Sequence, residues 1–172
     1  RRTRARAANA LAGIAIRQQT LDVAQARLDE ALTLDSRLVD AHVNRGTLLA
    51  RQGDFERAIA AWGAALQLDE HRPDVYTNIG EVCLLRGDLA RAEANLMRAL
   101  EINARYAPAV QRLVQLAVKH AEQGDFPQGA RLVQTAISVI QSWQGDPRQW
   151  QELIPLLEAL RAGRLPGGPE QG

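Results

Sequence analysis

A glycine–aspartate pair recurs in the sequence at a fixed spacing, and this spacing constrains the fold more than any other feature. Gly53-Asp54 and Gly87-Asp88 are 34 residues apart. When residues 39–72 are placed over residues 73–106, identical residues also coincide elsewhere: Asn44 with Asn78, Gly46 with Gly80, Ala58 with Ala92, Ala65 with Ala99 and Leu66 with Leu100. A period of this length predicts an array of small units, each of which packs against the next.

Each glycine–aspartate pair lies between two stretches whose apolar residues have helical spacing. Glycine tolerates the left-handed conformation that ends a helix, and aspartate accepts hydrogen bonds from the free amides that begin the next one. The composition agrees, because hydrophobic residues make up 46% of the chain and aromatic residues only 4%. We therefore predict an all-α protein in which pairs of antiparallel helices stack on one another.

The repeat resembles that of the tetratricopeptide repeat (TPR) family, whose units carry small residues at fixed helix-contact positions. Small residues fill these positions in the second and third units: Gly46, Ala58, Ala65, Gly80, Ala92 and Ala99. Arg45 is a departure, since it stands where the family has a bulky residue. The resemblance implies a right-handed α-solenoid with a C-terminal capping helix, which acts as a non-catalytic protein-interaction module.

The chain divides into predicted segments at this period. In order, they are a basic lead (1–4), a degenerate first repeat (5–38), the second (39–72), third (73–106) and fourth (107–142) repeats, a capping helix (143–163) and a flexible tail (164–172). In the fourth repeat Gly124-Asp125 comes three residues late, so we expect its first helix to be extended. Pro155 lies inside the predicted capping helix and should kink or divide it.

Arginines are concentrated at the start of the chain, although the formal net charge is only +1. Four of the first six residues are arginine: Arg1, Arg2, Arg4 and Arg6. Two interpretations stay open, a solvated start of the first helix and the cytoplasmic flank of an upstream membrane anchor. Nucleic acid is not an expected partner, because no aromatic residues accompany the arginines. The bias towards arginine and alanine points to a bacterial source, and we expect a cytoplasmic location, at the inner membrane under the second interpretation.

The sequence shows no arrangement of residues that would organise a reaction. His42, His71 and His120 are far apart, and none belongs to a metal-binding or nucleophile motif. His42 and Cys83 fall on helix-packing positions, so we expect both in the core. We predict neither an enzyme nor a metal site, cofactor or small-molecule substrate.

The first helix of each TPR unit lines a concave groove, and its outward positions are the candidate binding site. The principal candidates are Arg17, Asn44, Thr47, Arg51, Asn78, Glu81, Leu85, Arg112 and Lys119; further groove positions are Arg6, Asn9, Gly13, Asp40, Val43, Asp74, Thr77, Gln111 and Gln115. Asn44 and Asn78 share one repeat position, where an amide can both donate to and accept from a bound peptide backbone. The alternative is that both serve local contacts between helices.

The predicted function is a scaffold that binds a peptide segment or a partner domain in this groove. The family's clamp for acidic chaperone tails is not expected, because both lysines that it requires are missing at the matching positions Val43 and Pro108. Two alternatives are the cytoplasmic domain of a membrane-anchored assembly factor in bacterial polysaccharide or protein secretion, and a self-associating structural domain. Trp143 and the stripe that starts at Trp150 fit a structural cap, with a partner-docking helix as the alternative.

Overall fold

The structure is a computed structural model that describes residues 1–165, and these residues form α-helices without a β-strand. In chain order the helices are α1 (Arg2–Arg17), α2 (Leu21–Leu34), α3 (Val39–Arg51), α4 (Phe55–Leu68), α5 (Pro73–Leu85), α6 (Leu89–Ile102), α7 (Ala107–Glu122), α8 (Phe126–Ser142), α9 (Arg148–Gln151) and α10 (Ile154–Arg161). The predicted all-α class is confirmed. Of the tail that we expected to be flexible, residues 166–172 lie outside the described residues.

The chain divides into two compact units, Arg1–Ile79 and Gly80–Gly172, and the division falls inside α5. In the first unit α1 packs on α2, α3 packs on α4, and α3 also contacts both α1 and α2. In the second unit α7 packs between α6 and α8. None of the helices in the described part of the chain has the length and apolar character that a membrane span requires.

The glycine–aspartate pairs form the turns that the sequence predicts. Gly53, Gly87 and Gly124 have φ values of 81°, 76° and 85°. The aspartate that follows each glycine is the N-cap of the next helix, and its side chain accepts from the backbone amides of Arg57, Arg91 and Gln128 at 3.2 Å in each case. Local backbone chemistry therefore accounts for the three turns.

The corresponding turn of the degenerate first repeat has a different composition. Gln19 takes the left-handed conformation, with φ of 60°. Thr20 occupies the N-cap of α2 but makes no capping bond with its side chain. Its hydroxyl donates instead to the carbonyl of Ala15 at 3.2 Å. The same turn thus forms without either of the residues that favour it elsewhere.

Small residues allow the helices of the first unit to approach closely. Ala8, Ala12, Ala24 and Ala31, on α1 and α2, are at most 4% exposed. Between α3 and α4, the indole of Trp62 lies against Gly46 and donates to the carbonyl of Val43 at 3.1 Å. A glycine is required here, because a Cβ at residue 46 would lie 2.6 Å from Cε2 of the indole.

Helices α7 to α10 complete the second unit. The helix α7 is 16 residues long, whereas α3 is 13 residues long. A Cβ on Gly129 of α8 would lie 2.7 Å from the carbonyl oxygen of Ala117, so α7 and α8 touch through their backbones. Leu160 of α10 is 1% exposed and lies beside the same glycine.

The segment predicted as one capping helix is divided into α9 and α10. Pro155 lies in the first turn of α10, where its missing amide leaves no hydrogen bond unmade. Trp143 precedes α9, and its indole donates to the carbonyl of Ala104 at 2.7 Å. This contact ties the end of α8 to the turn between α6 and α7.

Candidate functional site

The candidate surface of the first unit begins with an amide pair between α1 and α3. Asn44 Nδ2 donates to Asn9 Oδ1 at 2.9 Å, and the Asn44 side chain is half-buried. This bond uses one of the two amide hydrogens of Asn44, while its own carbonyl oxygen stays uncommitted among the described residues. Asn44 therefore joins two helices and keeps part of its hydrogen-bonding capacity.

Asn78 has the repeat position of Asn44 but a different environment. It is also half-buried, yet no residue within 1–165 makes a hydrogen bond to its side chain. Both of its amide hydrogens and its carbonyl oxygen are available to a ligand. The two asparagines are equivalent in the sequence, and only the structure separates them.

Arg17 and Arg51 occupy equivalent positions near the ends of α1 and α3. Arg51 donates through a guanidinium nitrogen to the carbonyl of Ile16 at 3.2 Å, one of the last carbonyls of α1. Arg17 is exposed. Neither has a carboxylate partner within the described residues. This edge of the first unit therefore carries two positive charges that no side chain neutralises.

Three positions predicted to line the groove are occupied within the fold itself. Val43 is 8% and Thr77 4% exposed, so neither offers a surface to a ligand. The Thr77 hydroxyl donates to the carbonyl of Pro73 at 2.8 Å, and that of Thr47 donates to the carbonyl of Val43 at 3.1 Å. The prediction of Val43 and Thr77 as groove residues was wrong. Val43 directly precedes Asn44 and Thr77 directly precedes Asn78, and successive side chains on a helix point about 100° apart. Val43 and Thr77 therefore face the packed interior and not the surface that carries the asparagines.

In the second unit the three charged residues predicted to line the groove all take part in ion pairs. Glu81 of α5 and Arg112 of α7 form an ion pair at 2.7 Å, and Arg112 also donates to Gln115 at 2.9 Å. Lys119 pairs with Glu122 at 2.7 Å on its own helix. Leu85 lies one helical turn after Glu81 and is 67% exposed, which makes it an apolar side chain beside a paired-charge surface.

In the first unit, Arg72 binds two of the predicted groove residues, although the sequence analysis did not name it as a candidate. Its guanidinium donates to both carboxylate oxygens of Asp74, at 2.9 and 2.7 Å, and to Asp40 at 2.8 Å. The hydrogen bonds to Asp74, followed by those to Asp40, raise the pKa of Arg72 above its usual value. The signal in the sequence was a pair of aspartates at one repeat position, Asp40 and Asp74, with an arginine two residues before the second.

The histidines and the cysteine do not form a reactive centre. His42, predicted to be a core residue, is only half-buried, and its Nε2 lies 2.8 Å from the carbonyl oxygen of Ser36. His120 Nδ1 lies 3.4 Å from Asp125. Cys83 is 2% exposed, as predicted, and burial raises the pKa of its thiol. Within the described residues, no group of three or more His, Cys, Asp or Glu side chains could hold a metal ion.

Comparison with known proteins relates this arrangement of helices to a family. Residues 37–105 match the family model described as tetratricopeptide repeat. No curated protein sequence matches the chain significantly.

Solved structures extend the comparison to most of the chain. The structure of MamA matches with a TM-score of 0.66 at 16% identity, over 92% of this chain and 87% of MamA. That of pilF from Pseudomonas aeruginosa matches with a TM-score of 0.69 at 16% identity, over 90% and 77%. YrrB, described as a TPR protein with an unusual peptide-binding site, matches with a TM-score of 0.62 at 20% identity, over 89% and 75%. At these identities the likeness establishes the fold alone.

Proposed function

We propose that the first unit binds an extended segment of a partner protein, because residues 37–105 match the tetratricopeptide repeat family and a protein built of such repeats is in general a protein-interaction scaffold. The surface proposed to do so, called the amide surface below, consists of Asn9, Asn44, Asn78, Arg17 and Arg51. The role is non-catalytic. It consists of holding a peptide backbone through side-chain amides.

The uncommitted amide of Asn78 carries the proposal. Its amide atoms are reached by solvent, since they are not among the buried polar atoms that lack a partner in the described part of the chain, and they can therefore be reached by a ligand as well. An extended peptide supplies alternating backbone N–H and C=O groups, and one asparagine amide can bind both kinds. Asn44 adds its free carbonyl oxygen, which can accept from a peptide N–H.

The basic edge formed by Arg17 and Arg51 supports a ligand with acidic or carbonyl groups at one end. Both guanidinium groups lack a carboxylate partner in the described residues, so a bound segment does not have to displace an internal ion pair. The second unit differs, because Arg112 and Lys119 are already paired with glutamates there. This difference favours the first unit as the place where a partner segment is held. YrrB, a fold relative described as having an unusual peptide-binding site, supports this proposal.

The test is selection of peptides from a phage-displayed library of random sequences, followed by binding titrations of the selected peptides with purified variants. Asn78→Ala should weaken binding about 5- to 10-fold, the effect of losing one or two hydrogen bonds. Asn95→Ala is the matched control, because this asparagine lies on α6 and bonds only to the carbonyl of Arg91 in its own helix. Far-UV circular dichroism should show unchanged helicity in both variants. Equal affinities of Asn78→Ala and Asn95→Ala for every selected peptide would contradict the proposal.

A further inference from the structure

A recess lies at the edge of the first unit, where the lining helices begin. Its volume is about 500 Å³, within the range of pockets that hold small ligands or single side chains. Its walls come from the start of α1, the turn between α2 and α3, the first turn of α3 and the turn between α4 and α5. The residues that line it are Arg2, Arg6, Asp35, Arg37, Leu38, Val39, Asp40, Asp69 and Arg72.

Three of the four arginines in this recess have no partner of their own. Arg72 is neutralised by Asp74 and Asp40. By contrast, the side chains of Arg2, Arg6 and Arg37 make no ion pair or hydrogen bond with any described residue. All three are exposed. The recess is therefore lined by three arginines whose guanidinium donors are unused among the described residues.

The N-terminal arginines fall into two groups that lie on different faces of the chain's first helix. Arg4 donates to Glu30 of α2 at 3.1 and 2.9 Å, and Arg1 donates to the carbonyl of Thr33 at 3.4 Å. Arg2 and Arg6 are four residues apart and so share the face of α1 that borders the recess. Hence part of the arginine cluster ties α1 to α2, and the other part is left for a ligand.

Of the three carboxylates of the recess, Asp40 pairs with Arg72 and the other two accept hydrogen bonds from backbone amides of the turns. Asp35 accepts from the amide of Arg37 at 3.1 Å, and Asp69 accepts from the amide of His71 at 3.0 Å. Because they lie among the arginines, the recess offers no continuous basic patch to a broad anionic surface such as a membrane. A single carboxylate that enters the recess can instead meet guanidinium groups from α1 and from the turn at Arg37. Guanidinium and carboxylate groups match in geometry and pair through two parallel hydrogen bonds.

We propose that this recess is an acidic-side-chain site, in which Arg2, Arg6 and Arg37 bind the carboxylate of a glutamate or aspartate in the partner segment. The inference rests on the proposed function, since α1 and α3, which carry part of the amide surface, also supply Arg6 and Asp40 to the recess. Such a site would favour partner segments that contain an acidic residue. These arginines do not occupy the positions of the family's clamp for acidic chaperone tails, where this chain has neither of the required lysines.

The probe is a fluorescein-labelled hexapeptide of alternating glycine and glutamate, compared with the same peptide containing glutamine. The triple variant Arg2→Gln, Arg6→Gln and Arg37→Gln should weaken binding of the glutamate peptide about tenfold, because three exposed guanidinium–carboxylate pairs are lost together. The control triple variant, Arg57→Gln, Arg98→Gln and Arg164→Gln, removes the same charge from exposed arginines outside the recess. It should leave affinity nearly unchanged. Rising salt should weaken binding of the glutamate peptide in the parent protein.

Several outcomes would overturn the inference. One is equal affinity for the glutamate and glutamine peptides, and another is an equal loss in the two triple variants. Recess-dependent binding of phosphatidylglycerol vesicles or of inorganic phosphate in preference to the glutamate peptide would assign the arginines to another ligand. Arg37→Gln alone supplies a variant that should keep the fold, since this exposed side chain makes no hydrogen bond or ion pair with a described residue. If Asn78→Ala weakens binding but the recess triple variant does not, this inference fails and the proposed function stands. If the recess triple variant weakens binding but Asn78→Ala does not, the proposed function fails.

Discussion

The contact between Gly46 and Trp62 gives a prediction that compares two glycine-to-alanine changes in the first unit. Gly46 of α3 lies against the indole, and a Cβ there would be 2.6 Å from Cε2 and closer still to Nε1 and Cδ1. Gly63 of α4 is also helical, but nothing lies within 4 Å of its added Cβ. Both changes bring the same gain in helix propensity, so their difference isolates the clash with the indole.

The magnitude follows from three contributions. Replacing glycine by alanine inside a helix stabilises it by about 1 kcal/mol, which is the whole effect expected for Gly63→Ala. At Gly46, overpacking a filled core costs about 1–3 kcal/mol. The displaced indole also loses its 3.1 Å hydrogen bond to Val43, which costs about 1–3 kcal/mol when a buried donor is left unsatisfied. Gly46→Ala should therefore be about 2–6 kcal/mol less stable than Gly63→Ala.

Urea unfolding followed by far-UV circular dichroism measures this difference. The mechanism has an internal check, because Leu96 occupies in the third repeat the position of Trp62 in the second. A Cβ on Gly80 would lie 3.0 Å from Cγ of Leu96, a contact that a flexible leucine can relieve. In a Trp62→Leu background, Gly46→Ala should accordingly cost much less than in the parent protein. The reasoning is refuted if Gly46→Ala matches Gly63→Ala in stability, or if its cost persists after Trp62→Leu.

Two further predictions concern the degenerate turn and the buried thiol. Gln19→Gly should stabilise the protein by about 0.5–1 kcal/mol, because glycine adopts the left-handed conformation without the strain of a side chain; Gln18→Gly, with φ of −81°, is the control and should destabilise it in the same urea titration. Cys83 should react far more slowly with Ellman's reagent in the native protein at neutral pH than in urea, since burial both shields the thiol and raises its pKa. A native rate equal to the unfolded rate would contradict its placement in the core.

The turns and helices of this protein could be predicted because they depend on contacts that are close in sequence. Gly53 and Asp54 determine a helix end and the next helix start through backbone conformation and one capping bond, and both effects act within a few residues. The same reasoning applies at Gly124 and Asp125. Recurrence of these turns after 34 residues, and after 37 residues in the fourth repeat, then implies stacked helix pairs.

The candidate site was only partly predictable, because the availability of a polar group depends on the neighbouring helix. Asn44 and Asn78 are the same residue at the same repeat position, yet Asn44 bonds to Asn9 on α1, whereas Asn78 has no side-chain hydrogen bond within residues 1–165. Val43 and Thr77 looked like surface positions by their spacing but are buried. Their burial is decided by how closely two helices pack, which a repeat pattern does not specify to within one side chain.

The sequence by itself determined the helical class, the period and the helix-ending turns of this protein, since each arises from local backbone preferences repeated along the chain. Tertiary structure alone decided which charges remain free. Arg4 and Arg2 are close neighbours on one helix, but packing of α2 brings Glu30 to Arg4 and leaves Arg2 facing the recess. Ion pairs form over a few ångströms between residues that are distant in sequence, so only the packed helices determine which arginines are left to bind a partner.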